Sequence, residues 1–530
     1  MADFKVLLVD GIDESGVEIL RQTGVIDAVV EPRPGRDRLL EVIPEMDGLV
    51  VRSATRVDSG LIDRARKLRV IGRAGVGVDN VDVRAATSKG VLVMNSPGGS
   101  TATTAEHTLA MMFALARNIP QACRLLKEGT WSRSRFQGVE LEGKVLGVVG
   151  LGRIGSAVAR KAQGLGMTVV AYDPFLSPDA DLSTGFESVV LDALLDRADF
   201  ITVHTPLTPE TRGLVNAKTI ARMKDGVRLI NCARGGVIDE ADLFDALRSG
   251  KVAGAAFDVF ESEPDTDSPL LGLENFIATP HLGASTVEAQ RKVSSDICRQ
   301  IADYLVRQVV QGALNFPQMD PGRLERYRHF VDLATRLASF LGQISEGRMR
   351  LVSIRYSGEA CDLDLKYLTS TIVRVLLDPI LQEGVNLINA AHVAEQRGIR
   401  IQETRVPVPT NFTNLIEIEL ETDRQARRVS GTVFTDKVPR IVSIEGFALE
   451  FVPNGHMIFL TNNDKPGVIG AIGTLLGERG VNVAGMHVGR DQEGGRALAL
   501  LLVDDAVDDS IVEAIRHTRN VLTAQALFVQ

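Results

Sequence analysis

The sequence predicts an α/β protein: two parallel-sheet units, one inserted in the other, then a unit of α+β character and a small βαββαβ unit at the end. Three observations predict it. β-branched runs alternate with helix-like stretches through residues 1–285, a glycine-rich turn joins the strongest of those runs to a helix, and residues 454–530 carry strand and helix patterns in the ferredoxin-like order. The length agrees, because 530 residues at roughly 100–200 per domain make three to five domains, each able to bury its own core.

In chain order, residues 1–99 hold strand-like runs at 5–9, 48–52, 68–72 and 91–95 separated by amphipathic stretches, which is a parallel α/β unit. Residues 100–118 are apolar around most of a helix and open on Ser/Thr capping candidates. A second series places strands at 144–149, 168–172, 200–204, 227–231 and 254–259, each followed by helix-like sequence, and five strands at this spacing predict a doubly wound sheet within residues 100–285. Residues 285–309 again carry a helical period. If that helix returns the chain to the first unit as residues 286–316, the two helices are paired crossovers and the cleft between the units is a hinge. Asn315-Phe316-Pro317 and Asp320-Pro321-Gly322 punctuate the chain, so a linker is expected there, with a third unit over 317–453. The last unit reads strand 456–462, turn 464–467, helix 468–479, strand 481–489, strand 496–503, helix 509–518 and strand 521–529.

Composition excludes several function classes. Apolar residues make up 45% and charged ones 24%, and no apolar run approaches the roughly 18 residues that span a bilayer, so no membrane partner is expected. A net charge of −9 argues against nucleic acid, whose phosphates need a cationic footprint. Cys123, Cys232, Cys298 and Cys361 lack C-x-x-C spacing, so neither a metal site nor a disulfide framework is indicated, and a reducing cytoplasm is the expected compartment. No targeting segment is read before the first strand.

The sharpest local signal is Gly150-Leu151-Gly152-Arg153-Ile154-Gly155, directly after one predicted strand and before a helix. Glycines there let the turn tighten and let the helix N-terminus approach a pyrophosphate, whose charge its amides stabilise. A bare G-x-G-x-x-G is weak evidence, but Asp173 stands at the end of the next strand, where a carboxylate accepts hydrogen bonds from ribose hydroxyls and repels a 2′-phosphate. The motif therefore predicts a dinucleotide, and NAD over NADP. Cys232 reads as a small buried residue rather than a redox switch, and His204, at a strand end, as either a packed residue or part of the nicotinamide pocket.

Arg234, Glu263 and His281 each follow the carboxyl end of a predicted strand, the edge where open α/β sheets bind ligands. Oxidising an alcohol requires a base for the hydroxyl proton, a cation for a substrate carboxylate and a hydride acceptor. Histidine suits the first role because its ordinary pKa lies near working pH, and a neighbouring carboxylate favours its charged form. Arginine suits the second, since its fork can hold a carboxylate with two hydrogen bonds. Singly, each has a plainer reading as a solvated charge or a helix cap.

Jointly, these residues and the stretches Val51-Arg52-Ser53-Ala54-Thr55, Gly72-Arg73-Ala74-Gly75-Val76-Gly77-Val78-Asp79-Asn80, Asn231-Cys232-Ala233-Arg234-Gly235-Gly236, Asp258-Val259-Phe260 and Pro280-His281-Leu282-Gly283-Ala284-Ser285-Thr286 resemble the D-isomer-specific 2-hydroxyacid dehydrogenases, specifically the long-form phosphoglycerate dehydrogenases. The resemblance covers nearly all of residues 1–315. It implies a flavodoxin-like substrate unit around an NAD-binding unit, with Arg234 orienting substrate, His281 as acid/base and Glu263 as its partner. It places NAD against Arg153, Ile154, Asp173, Thr205, Cys232, Asp258, His281, Gly283 and Ala284; with Gly150, Gly152 and Gly155 of the turn, Ala233 and Arg234 beside Cys232, and His204 under its pocket reading, these make up the expected cofactor site. It places the substrate, 3-phospho-D-glycerate, against Arg52, Ser53, Arg73, Gly75, Val76 and Gly77; arginine is a fitting partner for its phosphate. By the same analogy the loop from Trp131 to Arg135 reaches a neighbouring subunit's cleft.

Residues 317–453 resemble the intervening domain of the long-form enzymes. Residues 454–530 resemble an ACT domain, in which Asn462, Asp464 and Asn482 fall on effector-binding positions. The resemblance thus implies oxidation to 3-phosphohydroxypyruvate at the entry to serine synthesis, feedback by L-serine and a homotetramer. The competing readings are another D-2-hydroxyacid dehydrogenase, acting on glyoxylate or hydroxypyruvate, and a binding protein that uses the nucleotide only to report redox state.

Overall fold

A computed structural model of the chain describes residues 2–176, 185–317, 321–381, 384–408 and 411–530, less the side chains of residues 321, 323, 324 and 326. The first sheet is wholly parallel and has five strands: β1 (Phe4–Leu8), β2 (Ile26–Val30), β3 (Gly48–Val51), β4 (Val70–Arg73) and β5 (Leu92–Asn95). Their order, β2-β1-β3-β4-β5, is that of flavodoxin-like sheets. β3 and β5 are buried at every position, which is why they read as unbroken apolar runs. β2 is not among the expected strands. It lies at the sheet's edge with an irregular burial pattern and an Asp in it, so its sequence lacks a clear period.

The second sheet is also parallel. Its strands β6 (Val145–Val149), β7 (Thr168–Tyr172), β8 (Glu187–Ser188), β9 (Phe200–Val203), β10 (Val227–Asn231), β11 (Val252–Phe257) and β12 (Phe276–Ala278) run in the order β12-β11-β10-β9-β6-β7-β8. The five expected strands form, and the order reverses between β6 and β9, leaving a crevice at their carboxyl ends. The two additional strands, β8 and β12, are edge pieces of two and three residues, too short for any sequence period to reveal them.

The helix Thr101–Ala116 carries the chain onto the second sheet, where Leu115 lies against Gly254 of β11. The helix Val287–Arg307 brings it back. Its Ile297 and Ile301 pack on Gly72 of β4, where no larger residue has room, and Met94 of β5 bridges to Ala313. The second unit is thereby inserted in the first.

The helix Pro321–Ile344 opens the third unit. Pro321, expected to punctuate a linker, is instead the first helical residue, a position that suits its fixed φ and missing N–H. Asp320, read with it, lies outside the described residues. Behind the helix stands a six-stranded sheet of β13 (Met349–Gly358), β14 (Arg400–Val406), β15 (Asn414–Thr422), β16 (Ala426–Val433), β17 (Pro439–Ile444) and β18 (Phe447–Phe451), antiparallel but for the β13–β14 pair.

The last sheet, of β19 (Gly455–Asn463), β20 (Val483–Arg490), β21 (Arg496–Val503) and β22 (Val521–Val529), is antiparallel in the order β20-β21-β19-β22. With helices Val468–Glu478 and Asp509–Arg516 it completes the expected βαββαβ pattern. Phe340 of the long helix meets Phe451 at 6.1 Å and Phe459 at 6.0 Å, so the last two units share a core. The Gln343 side chain also donates to the Phe528 carbonyl and accepts from its N–H, covering that end of edge strand β22. Among the described residues, no helix is long and apolar enough to cross a membrane.

Candidate active site

The glycine turn sits at the crevice between β6 and β9. Gly150 has φ +95°, and a Cβ on Gly155 would fall 1.9 Å from the Gly150 carbonyl oxygen, so the helix Arg153–Gln163 approaches its strand closely only because both are glycine. Around Gly152 a Cβ would meet nothing within 4 Å, which leaves open space before a helix N-terminus without a side-chain cap. Asp173, just past β7, accepts the Leu151 N–H at 2.9 Å and the Phe175 N–H at 3.0 Å, which fixes its carboxylate beside the turn. Thr205 Oγ1 lines the cleft, buried and without a hydrogen-bond partner among the described residues. An open anion cradle, an unpaired hydroxyl and an anchored acid fit a dinucleotide. His204, beside them, is neutral: burial pushes it down to about 4.

Across the cleft, His281 Nδ1 lies 2.6 Å from Glu263 Oε2. That hydrogen bond raises the imidazole pKa above its ordinary value, against the opposing effect of burial and of Arg234. For Glu263, burial favours the neutral acid, but the bonds from His281 and the Phe260 N–H outweigh it, and the carboxyl titrates below its usual range. His281 itself has φ +55°, uncommon for a side-chain-bearing residue. Hydrogen bonds impose this turn. The His281 N–H donates to the Asp258 carbonyl at 2.9 Å, while the Asp258 carboxylate receives the Leu282 and Gly283 N–H groups, each at 2.7 Å. Asp258 is 1% exposed, and burial opposes its charge, but bonds from His107, Thr279 and Leu282 prevail and lower its pKa.

Arg234 enters the same cleft from the loop after β10. Its Nε lies 3.1 Å from Asp79 Oδ2, and a Cβ on Gly77 would fall 1.9 Å from its Nη2, so the guanidinium lies directly over that glycine. Arg73, at the end of β4, lines the wall beside it. Burial, then the neighbouring Arg234, bring its pKa down to about 10, and its Nε is buried and unpaired among the described residues. Two adjacent guanidiniums with one exposed carboxylate between them form a cationic pocket suited to an anion. Arg52 is placed differently. Its side chain reaches the Asp10 carbonyl at 3.5 Å, outside the cleft lining, and Ser53 is exposed beyond it.

The cleft, about 360 Å³, therefore gathers Arg73, Val76, Gly77, Gly152, Arg153, Ile154, His204, Thr205, Cys232, Ala233, Arg234, Asp258, His281, Gly283 and Ala284 from both parallel-sheet units. Five expected residues are not in the lining but touch residues of the site: Gly75 lies against Arg73, Gly150 against His204 and Thr205, and Gly155 against Gly150, while Asp173 bonds the Leu151 N–H and Glu263 bonds His281. The lining also holds Asp79, Pro97 and Ser100, which lie in motif or loop stretches to which the sequence assigned no role, and Thr104 and Pro206, which sequence reasoning missed, as it did His107 behind them. Thr104 and His107 belong to a helix whose apolar composition signals only core packing. The Cys232 thiol is neutral; burial, then Asp258, push it up to about 12.

The other expected positions lie apart from the cleft. Asp464 accepts from Arg490 at 3.3 Å and from the Gly494 N–H at 3.2 Å; Asn482 donates to Asp504 at 2.6 Å; Asn462 donates to the Asn463 carbonyl and leaves its Oδ1 buried and unpaired among the described residues. No hydrogen bond joins these three to one another in the described chain. Trp131 is 74% exposed, and Arg135 pairs with Glu274 of its own chain at 2.6 Å.

Comparisons with known proteins identify the family. Residues 109–283 match the model of the D-isomer specific 2-hydroxyacid dehydrogenase NAD binding domain, residues 326–445 that of the D-3-phosphoglycerate dehydrogenase intervening domain, and residues 456–517 that of the ACT domain. D-3-phosphoglycerate dehydrogenase of Archaeoglobus fulgidus is 42% identical over 98% of this chain and 99% of its own length; that of Bacillus subtilis is 40% identical over 99% of each. Among solved structures, D-lactate dehydrogenase of Aquifex aeolicus complexed with NAD and lactic acid superposes with TM-score 0.53 at 28% identity, over 59% of this chain and all of its own. An NAD-binding fold, a histidine–carboxylate pair beside an arginine, and two appended units matched along their length leave one assignment: the chain belongs to the D-3-phosphoglycerate dehydrogenases, within the D-isomer-specific 2-hydroxyacid dehydrogenase family.

Proposed function

We propose that the chain oxidises 3-phospho-D-glycerate to 3-phosphohydroxypyruvate with NAD, the step that commits carbon to serine. The convergence of Arg234 with the His281–Glu263 pair in one cleft carries this reading. With Nδ1 bound to Glu263, the Nε2 lone pair of neutral His281 is free to accept the C2 hydroxyl proton. Glu263 then stabilises the imidazolium that results. Arg234 takes the substrate carboxylate in a two-bond fork, exchanging the Asp79 contact for it; Asp79, 78% exposed, has little to lose on release to water. Arg73 faces the phosphate, with Arg52 behind it adding to the positive field. The bound nicotinamide supplies the acceptor for the C2 hydride. Gly152 and the helix it begins hold the pyrophosphate, and Asp173 the ribose. Closure of the cleft about the two crossover helices excludes water from the proton transfer.

The ACT unit supports regulation by a small amino acid, with L-serine as the effector. Its site would use the unpaired Asn462 Oδ1 together with Asp464 and Asn482. Assembly as a homotetramer is supported by the amphipathic helix Ile119–Lys127, which has no buried residue, and by the exposed Ile119, Leu126 and Trp131. Free cysteines support a reducing, cytoplasmic setting. A steady-state assay with NAD decides the substrate: kcat/KM for 3-phosphoglycerate should exceed that for unphosphorylated D-glycerate by at least about 100-fold, and Arg73→Ala should erase most of the difference. Equal values for the two substrates would remove the phosphate from the reading. Saturating L-serine that changes neither velocity nor Tm would remove the effector.

A further inference from the structure

We infer that His107, on the helix that crosses between the two parallel-sheet units, is a positioning residue for the reaction, holding His281 in place through Thr279 and Asp258. The inference rests on the dehydrogenase reading above and adds a residue to it. His107 Nε2 lies 3.0 Å from Thr279 Oγ1 and 3.2 Å from Asp258 Oδ1. The Thr279 hydroxyl is committed as a donor to Asp258 Oδ1 at 2.6 Å, so it can only accept from His107, which sets the proton of His107 on Nε2. Asp258 Oδ1 thus receives the Thr279 hydroxyl and the Leu282 N–H with the His107 N–H beside them, while Oδ2 receives the Gly283 N–H. These are the two residues that follow His281, and the His281 N–H itself bonds the Asp258 main chain.

A carboxylate this deeply buried keeps its charge only while its donors stay in place. Removing one loosens the loop at its left-handed residue, whose conformation those same bonds enforce. Nothing on the helix itself requires histidine at this position: its neighbours Thr104, Ala105, Thr108 and Leu109 already supply its buried packing. The groups charged or titratable around the network are Glu263 and Arg234 facing His281, and Cys232 and His107 facing Asp258. Because the helix is also a crossover, the network ties the acid/base to the element about which the cleft closes.

Two variants separate positioning from packing. His107→Leu keeps the volume and removes the donor; His107→Gln returns an amide N–H close to the place of Nε2. The expected result is a kcat about 10- to 100-fold lower in His107→Leu, the loss due to one hydrogen bond on a charged group, with KM for NAD within about twofold, and recovery of most of the rate in His107→Gln. Carbethoxylation of His281 by diethyl pyrocarbonate, followed across pH by peptide mass, reports its protonation without turnover. Its midpoint should fall in His107→Leu, as the Glu263 bond weakens, and return in His107→Gln. Unchanged kcat and midpoint in His107→Leu would overturn the inference; so would equal losses in both variants with a lowered Tm, which would mark a packing role. Should the wild-type protein fail to oxidise 3-phosphoglycerate, the dehydrogenase reading falls by itself, while the carbethoxylation midpoints still decide whether His107 positions His281.

Discussion

Replacing Glu263 by Gln tests the centre of the mechanism. The substitution keeps shape and a hydrogen-bonding oxygen but removes the charge opposite His281 at 2.6 Å. A hydrogen bond to a charged group is worth about 1.5–3 kcal/mol, which at 1.36 kcal/mol per tenfold corresponds to a rate loss of about 10- to 150-fold. The side chains are 47% and 36% exposed, so water screens part of that interaction and the lower range, about 10- to 30-fold in kcat, is expected. The pH profile carries the sharper signature. His281 must be neutral to accept the proton, so the acid limb of kcat/KM follows its pKa, which Glu263 raises. In Glu263→Gln that limb should move toward lower pH even as the plateau drops.

The linkage to stability has a definite sign. The raised imidazole pKa contributes stability that is complete below the ordinary histidine value and lost as pH rises through the folded one. The lowered carboxyl pKa of Glu263 contributes above its ordinary value and is lost as pH falls through the folded one. The pair is therefore intact in the window between, and its exposure keeps the contribution small, so Tm near neutral pH should shift by no more than about 2 °C. Initial rates with 3-phosphoglycerate and NAD from acid to mildly alkaline pH, alongside thermal melts, complete the assay. A variant with wild-type kcat and an unmoved acid limb would refute the pairing as the source of the base.

Other perturbations separate the parts of the site. Gly152→Ala should fold normally and bind NAD about 10- to 100-fold more weakly, because its Cβ meets only the open cradle; Gly155→Ala, with a Cβ 1.9 Å from a backbone oxygen, should lose about 3 kcal/mol or more and about 6–12 °C in Tm. Melting curves and nucleotide titrations that fail to distinguish the two variants would contradict the division of labour. Asp173→Ala should raise KM for NAD about tenfold or more and narrow the preference for NAD over NADP, measured as the ratio of kcat/KM; an unaltered ratio would take Asp173 out of nucleotide selection. Near neutral pH, iodoacetamide should modify exposed Cys123 well before Cys232 or Cys298, whose thiols burial pushes up to about 12, as peptide mapping would show; rapid loss of activity through Cys232 would reverse that order.

Much of the molecule is legible along the chain because the relevant signals are local. The strand β6, the glycine turn and the helix after it occupy consecutive residues, and apolar periodicity records burial directly, so the parallel α/β character of the first unit, the doubly wound sheet of the second and the terminal βαββαβ unit are legible in residue order alone. Arg234, Glu263 and His281 are legible as strand-end residues, since the carboxyl edge of such sheets binds ligands whatever the side chains. Edge strands β2, β8 and β12 are not, being half-buried or very short.

Tertiary structure alone decided the partners. Asp79 meets Arg234 across the cleft, and His107 reaches Thr279 from 172 residues away, contacts that no periodicity encodes because each residue is unremarkable on its own helix or loop. It also decided that Arg73 lines the cationic pocket while Arg52 turns to Asp10, although both arginines stand at the carboxyl ends of neighbouring strands, Arg73 as the last residue of β4 and Arg52 just past β3. Hydrophobic pattern and glycine spacing constrain the backbone through neighbours in sequence. Charge pairing and proton affinity depend on distance and burial, which exist only once the units have packed together.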